Sequence, residues 1–286
     1  MKVSVLILTQ DEARNLPRCL GALGWCDDVV VVDSGSRDAT REIAAGAGAR
    51  VIERPFDSFA GQRNFALEQG GLRHGWVLHL DADEVVTPEF RRALEALEPP
   101  SELDGYLVPS KMMLFGRWLK HAGQYPSYQV RLGRRGLRFR QVGHGQREDA
   151  APERIGAFPE PYLHHSFSHG MRHWLARHVR YAEDEAAVLA SGGASADWPG
   201  LLPAARRRRA LKAWAGRLPL WLRPAARFAH IYLLRQGFRD GRAGLAYAVM
   251  MATYEGMIAS YAYERRRAAA EQRAPAGANA PGGERV

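Results

Sequence analysis

Residues 29–40 read VVVVDSGSRDAT and residues 76–84 read WVLHLDADE, and these two stretches decide the fold. Each is an unbroken apolar run that ends abruptly on a carboxylate. Strands buried on both faces read as continuous hydrophobic runs, whereas a strand with one wet face alternates. Working outward, Val3–Thr9 is a run of the same kind, and Val51–Ile52 centre a shorter one. Between them, Glu12–Leu23 has helical spacing (Ala13, Leu16, Leu20, Leu23), a second helical stretch covers about Asp38 to Ala47, and Asn64–Gln69 begin a third. Strands separated by helices of about a dozen residues predict βαβ units in a mostly parallel sheet covered by helices on both faces, an α/β fold.

From about Gly105 to His165 the pattern changes to short strands at Gly105–Pro109, Tyr128–Leu132 and Leu137–Arg140, with Arg134-Arg135-Gly136 predicted as a hairpin turn between the last two. From Met171 the pattern is helical, broken at Pro199, Pro203, Pro219 and Pro224. The reading is therefore an α/β domain over 1–165, a basic helical extension over 166–267, and a disordered Ala/Gly/Pro/Glu/Arg-rich tail over 268–286.

The chain has 286 residues and a net charge of +9, unevenly spread: −5 over residues 1–100 and +14 over 101–286. An acidic front and a basic remainder suggest cation binding in the first part and an anionic partner for the second. Of the 40 basic residues 36 are Arg, a bias that genome composition can produce without any function. Two cysteines, Cys19 and Cys26, exclude a disulfide scaffold and read as small buried apolar residues. Val3–Leu8 is too short for an export signal core. Gly244–Tyr263 has spanning length but holds Glu255, and a charge at mid-bilayer costs about 2.5–3.5 kcal/mol. It reads as a buried or interfacial helix, and the protein as cytoplasmic.

In open parallel sheets ligands sit beyond the carboxyl ends of the strands. Those ends carry Thr9-Gln10-Asp11-Glu12, Asp33-Ser34-Gly35-Ser36, the segment Asp57–Asn64, and Asp81-Ala82-Asp83-Glu84. Three carboxylates within four residues repel one another unless something positive lies between them. Oxygen ligands of this kind suit Mg2+ or Mn2+, which keep waters and bind substrate phosphates alongside one or two carboxylates. Asp83 is free for that role because Thr87-Pro88 already supplies a helix N-cap and its following proline. Asp33 reads either as a nucleoside-binding carboxylate or as a turn former, Glu12 as half of a Thr9-x-x-Glu12 capping box, and Arg63 as a phosphate contact or a solvated charge.

The stretches SVLILTQDEARNLPRCL (4–20), VVVVDSGSRDAT, FAGQRNFAL (59–67) and HLDADEVVTPEF (79–90), in this order, resemble the family 2 inverting glycosyltransferases of the GT-A fold. The resemblance continues through FGRWLKHAGQYPSYQVRL (115–132), LHHSF (163–167) and GFRDGRAGL (237–245), and points to the branch resembling the glucosyltransferases of lipopolysaccharide core assembly. It implies that Asp33, Ser34, Gly35 and the Thr9–Glu12 loop, Asp11 included, hold the uridine of a UDP-sugar, with Arg63 close to the nucleotide. Asp81 would meet the ribose or a metal-bound water, Asp83 would ligate Mn2+ or Mg2+ on the diphosphate, and Arg131 would face the phosphates. His164 would complete the metal shell or serve as a structural histidine. Where related sequences carry His-Glu, this chain reads Val142-Gly143-His144-Gly145-Gln146-Arg147-Glu148. Glu148 is then the first candidate for the general base, with Asp149 and His144 in reserve. His165, His169 and His173 follow at helix-like spacing, a weak zinc signal without Cys or acidic partners.

In the basic half, Arg206–Arg209, Arg217, Arg223, Arg227, Arg235, Arg239 and Arg242 interleave with Trp214, Leu218, Leu220, Trp221, Phe228 and Tyr232. That composition suits an anionic membrane surface, where a lipid-linked acceptor would be delivered, and equally a helical appendage with solvated Arg. Three function classes remain: a hexosyltransferase acting on a cell-envelope glycan or glycolipid, a non-catalytic sugar-nucleotide-binding scaffold, and a nucleic-acid binder. The last lacks any reader motif, and its phosphates would meet an acidic rim.

Overall fold

The computed structural model describes residues 1–142, 145–190 and 218–273. The chain divides into two compact units, the first made of Met1–Gly170 and Gln236–Gly244, the second of Met171–Arg235 and the chain from Leu245 on.

The first unit holds the expected α/β sheet. Its elements run β1 (Ser4–Thr9), α1 (Leu16–Gly21), β2 (Val29–Asp33), α2 (Thr40–Gly46), β3 (Arg50–Glu53), α3 (Phe59–Gln69), β4 (Trp76–Asp81), β5 (Glu84–Val85) and α4 (Pro88–Glu95). After these come β6 (Gly105–Leu114), β7 (Arg117–Trp118), β8 (Ser127–Arg134), β9 (Phe139–Val142), β10 (Gly145–Glu148), β11 (Ile155–Ala157) and β12 (Tyr162–His164). The strand order is β3-β2-β1-β4-β8-β6-β12-β5, with β7 and β11 attached to β6 and β9–β10 forming a separate pair. The first four neighbours are parallel; β8 is then inserted antiparallel between β4 and β6.

The continuous apolar runs are buried on both faces, as their pattern requires. Val5 and Ile7 of β1 pack with Leu16, Leu23, Phe90 and Leu94 on one side. Leu6 points the other way, joining Val30, Val32, Ala66, Leu67 and Phe139. Thr87 caps α4 as read, accepting from the Phe90 N–H at 3.2 Å.

Three local expectations are corrected. Helix α3 starts at Phe59, not Asn64, because the Ser58 hydroxyl accepts from the Gly61 N–H at 3.0 Å and so caps it. Arg63 therefore sits mid-helix. The Arg134-Arg135-Gly136 turn does not close a hairpin, since both edges of β8 are already taken by β4 and β6, and β9 pairs with β10 instead. The expected tail boundary at 268 falls inside a helix that runs Gly241–Arg273. Its continuation has the helix-forming run Arg265–Ala270, with an Arg267–Glu271 ion pair at 2.8 Å one turn apart.

The second unit contains α5 (Gly170–Ala190) from Met171 on, a 3-10 turn at Leu220–Leu222 that continues into a short α-helix at Arg223–Ala229 and a π-helical turn at His230–Leu234, and most of the helix Gly241–Arg273. Trp174 stacks on His178 at 3.7 Å, and Tyr254 donates to Glu185 at 3.2 Å. No helix among the described residues is long and apolar enough to cross a membrane, in line with the reading of Gly244–Tyr263. Both cysteines are free thiols. Arg206–Arg209, Trp214 and Arg217 lie outside the described residues.

Candidate functional site

The carboxyl ends of β1, β2 and β4 bring the first candidates together. Thr9 pairs with Asp33 across β1 and β2, and Leu8 pairs with Asp81 across β1 and β4. The two aspartates thus flank β1, about 10 Å apart from the usual strand spacing. Asp33 is fully buried and accepts from the Gly35 N–H (3.1 Å), the Ser36 N–H (2.8 Å), the Ser36 hydroxyl and the Thr9 hydroxyl (3.2 Å). Gly35 lies at φ 83, a conformation that glycine adopts without steric cost. The Ser34 N–H donates to the Thr9 carbonyl at 2.9 Å. Asp11 bridges the two loops, accepting from the Arg37 N–H at 2.7 Å while its own N–H donates to Ser36 at 2.9 Å. The Thr9–Glu12 and Asp33–Ser36 loops are therefore built as one rim, with Asp81 across β1 from Asp33.

Glu12 does not form the capping box. Helix α1 starts at Leu16 with Asn15 as its N-cap, six residues too late for Thr9 to serve. Glu12 instead accepts from the Asn15 amide at 2.6 Å and meets His169 at 3.1 Å, while Asn15 also donates to Ser168 at 2.8 Å. Burial raises the Glu12 pKa against the opposing pull of Asn15 and His169.

The acidic triplet separates into two environments. Asp81 lies between two guanidinium groups, with Arg63 at 2.9 Å on one oxygen and Arg131 at 2.6 Å on the other. Arg131 also binds Glu84, which is fully buried and accepts from the Asp81 N–H at 2.9 Å. Burial pushes Asp81 upward, but Arg131 and then Arg63 outweigh it and hold the carboxyl well below its usual range. Glu84 feels the same burial with less compensation and is pushed up to about 7. Arg63, 2% exposed, is pulled down to about 10 by burial. The positive charge that three neighbouring carboxylates demand is thus partly internal. Sequence reading missed Glu84 as a member of this network, although the DADE spelling already implied a counter-charge for it.

Asp83 stands apart from the arginines. Its carboxylate lies 3.4 Å from His164, and its carbonyl accepts from the His165 N–H at 2.9 Å, which ties the turn to the end of β12. Burial lowers the His164 pKa, but the hydrogen bond and charge of Asp83, followed by Glu84 and Asp81, raise it to about 9. A carboxylate and an imidazole side by side on a strand-end rim fit a divalent ion whose remaining positions are water and phosphate oxygens. Asp81 does not join them, because both its oxygens face guanidinium groups. Among the described residues no three His, Cys, Asp or Glu side chains converge on one point, so His165, His169 and His173 form no zinc site.

The candidate bases are elsewhere. Glu148 and Asp149 belong to or follow the β9–β10 pair, which docks on α3 through Asn64, whose side chain bonds Phe139 in both directions at 2.7 and 2.9 Å. Glu148 has Arg147 at 3.9 Å, and the Asp149 N–H donates to the Arg138 carbonyl at 2.8 Å. Among the described residues no hydrogen bond or ion pair joins either acid to Asp83 or His164. His144 lies outside the described residues.

Residues 4–145 match the model of the family described as "Glycosyl transferase family 2". The lipopolysaccharide core biosynthesis glycosyltransferase LpsC of Rhizobium meliloti is 27% identical over 271 residues, 93% of each chain. A protein of Rickettsia bellii, described as an uncharacterized glycosyltransferase, is 35% identical over 108 residues; the match spans 37% of this chain and 36% of that one. Among solved structures, glucosyl-3-phosphoglycerate synthase from Mycobacterium tuberculosis, in complex with Mn2+, uridine diphosphate and glucosyl-3-phosphoglycerate, is 23% identical. That likeness covers 39% of this chain and 44% of the other, with a TM-score of 0.32.

Proposed function

The chain belongs to glycosyl transferase family 2 through residues 4–145, and from that premise we propose that it transfers a hexose, glucose, from a UDP-sugar to a cell-envelope glycan or glycolipid of the lipopolysaccharide core kind. The observation that carries this reading is the division of the acidic triplet. Two of its carboxylates are neutralised by Arg63 and Arg131, while Asp83 is left beside His164 at the open rim.

In this reading the buried loop around Asp33 receives the uridine, with the Thr9–Glu12 turn alongside. Asp83 and His164 would hold Mn2+ or Mg2+, which as a Lewis acid offsets the charge growing on the departing diphosphate. Asp81, fixed from behind by its two arginines, presents its exposed edge to the ribose. Arg131 is 2% exposed and bound to Asp81 and Glu84, which favours a positioning role over the direct phosphate contact implied by the resemblance. The acceptor hydroxyl attacks in line from the opposite face, inverting the anomeric centre, and a carboxylate takes its proton. Glu148 is proposed for that base, with Asp149 and His144 as its alternatives. The exposed Trp221, Leu222, Leu233 and Leu234 near Arg223, Arg227 and Arg235 support contact of the second unit with an anionic membrane surface.

The test is thermal stabilisation and hydrolysis of UDP-, GDP- and dTDP-sugars with Mn2+. A UDP-sugar should stabilise the protein only when Mn2+ is present, and Asp83→Ala should abolish both the Mn2+ requirement and turnover. Failure of every nucleotide sugar to bind would overturn the reading.

A further inference from the structure

Up to Val130, the segment FGRWLKHAGQYPSYQVRL carries no role in the site above, which takes only its Arg131, yet it lies on the same rim. Strand β6 runs beside β12 with Lys111 opposite Leu163 and Met112 opposite His164, so its carboxyl end emerges one strand from the Asp83–His164 pair. There it turns back into β7, with Leu114 opposite Arg117 and Met113 opposite Trp118. The two-residue connection is Phe115-Gly116, with φ 52 and φ 74. Positive φ at both positions is what a type I′ hairpin demands, and Asn or Gly normally supplies the first. Here it is a phenylalanine, 72% exposed, which gains no burial in exchange for a conformation its side chain disfavours.

In the same hairpin and the loop after it, Lys111 and Lys120 place their ammonium groups 4.8 and 5.7 Å from the centre of the Trp118 ring, and Tyr125 meets that ring edge-on at 4.9 Å. The chain has only four lysines among its 40 basic residues, and two of them flank this one indole. Neither makes an ion pair among the described residues. Residues 105–147 contain nine Lys and Arg and no Asp or Glu, so the local field is positive. The loop is also held rigid from a distance in sequence. Asp240, 3% exposed, accepts from the His121 and Ala122 N–H groups at 2.8 and 2.7 Å, and Arg117 donates to the Arg239 carbonyl at 3.2 Å. The GFRDGRAGL stretch is therefore the clamp that fixes this loop.

We infer that Lys111, Phe115, Trp118, Lys120 and Tyr125 form a binding site for a sugar bearing an anionic group, a phosphate or a carboxylate, and that such a sugar is part of the acceptor. Aromatic faces take the apolar side of a sugar ring, while the two ammonium groups take the anion. The role as acceptor rests on the glycosyltransferase reading; the saccharide site itself does not.

The experiment follows the Trp118 indole N–H resonance in protein carrying 15N-tryptophan, assigned by its loss in Trp118→Phe. Glucose 6-phosphate, glucuronate, glucose and inorganic phosphate are titrated in turn. The anionic sugars should shift the signal at concentrations where glucose does not, and more tightly than inorganic phosphate; whichever anionic sugar binds better identifies the group. In Lys111→Ala/Lys120→Ala the affinity should fall roughly tenfold or more, the size of a lost charge-assisted hydrogen bond. Phe115→Gly should bind more weakly while melting no lower than the natural protein, because the strained turn is relieved. Equal shifts by glucose, equal affinity for bare phosphate, or undiminished binding in the double lysine variant would each overturn the inference. Thermal stabilisation by UDP-sugar with Mn2+ is measured on the same preparation. Sugar binding without nucleotide binding would keep the saccharide site and remove the transferase, whereas the reverse would remove only the site.

Discussion

Replacing Arg131 by Met removes the cation shared by Asp81 and Glu84 while keeping much of the buried volume. Arg131 is 2% exposed and Glu84 is fully buried, so no solvent replaces the lost charge. Asp81 keeps Arg63 at 2.9 Å, but Glu84 keeps only the Asp81 N–H at 2.9 Å. Removing one partner of a buried ion pair costs up to about 3–5 kcal/mol when the remaining charge is left without compensation, and Glu84, already at about 7, relieves part of that cost at neutral pH by taking a proton. If that is the source of the cost, removing the second charge as well should restore part of it. The double variant Arg131→Met/Glu84→Gln should therefore be more stable than Arg131→Met alone by at least about 1 kcal/mol, a coupling within the range seen for contacting residues. The assay is urea unfolding of the natural protein, both single variants and the double variant at neutral pH. Costs that add to within about 0.5 kcal/mol would show the two residues to be energetically independent and refute the buried network.

Asp28, buried and accepting from Ser4, the Arg73 N–H and Arg50, is held below the ordinary carboxylate range because these partners outweigh the burial that raises it. A lowered folded pKa contributes stability that is present above about pH 3.9 and is lost as pH falls through the folded value. Asp28→Asn should therefore cost about 1–3 kcal/mol near neutrality, with the gap closing under acid in denaturant titrations at stepped pH. Gly244→Ala would place a methyl group 1.9 Å from the Gly237 carbonyl oxygen, so the Asp240 clamp must shift; a loss of about 1–3 kcal/mol in thermal unfolding is expected. Asp33→Ala leaves the Gly35 and Ser36 N–H groups without their acceptor, and calorimetry should show loss of UDP binding together with a lower melting temperature.

The unbroken runs ending in Asp33 and Asp81 determined the α/β sheet, because only strands buried on both faces tolerate such sequences. They also placed Asp33 and Asp81 at one rim, since parallel strands end on the same side, whereas Glu148 and Asp149 lie on or beside the separate β9–β10 pair. The cap at Thr87 was equally local and equally legible. What each carboxylate does was decided by the tertiary structure. Arg63, Arg131 and Glu84 are separated by 21 to 68 residues and share no local pattern, yet folding delivers two guanidinium groups to one triplet and leaves Asp83 to a histidine 81 positions later. The same holds for Glu12, whose capping box is a local possibility that a distant His169 displaces, and for Asp240, which fixes a loop about 120 residues upstream. Periodicity reports which side of an element is dry, a property of near neighbours. Charge compensation in a buried site depends on distance in space, and that becomes defined only when the chain has closed on itself.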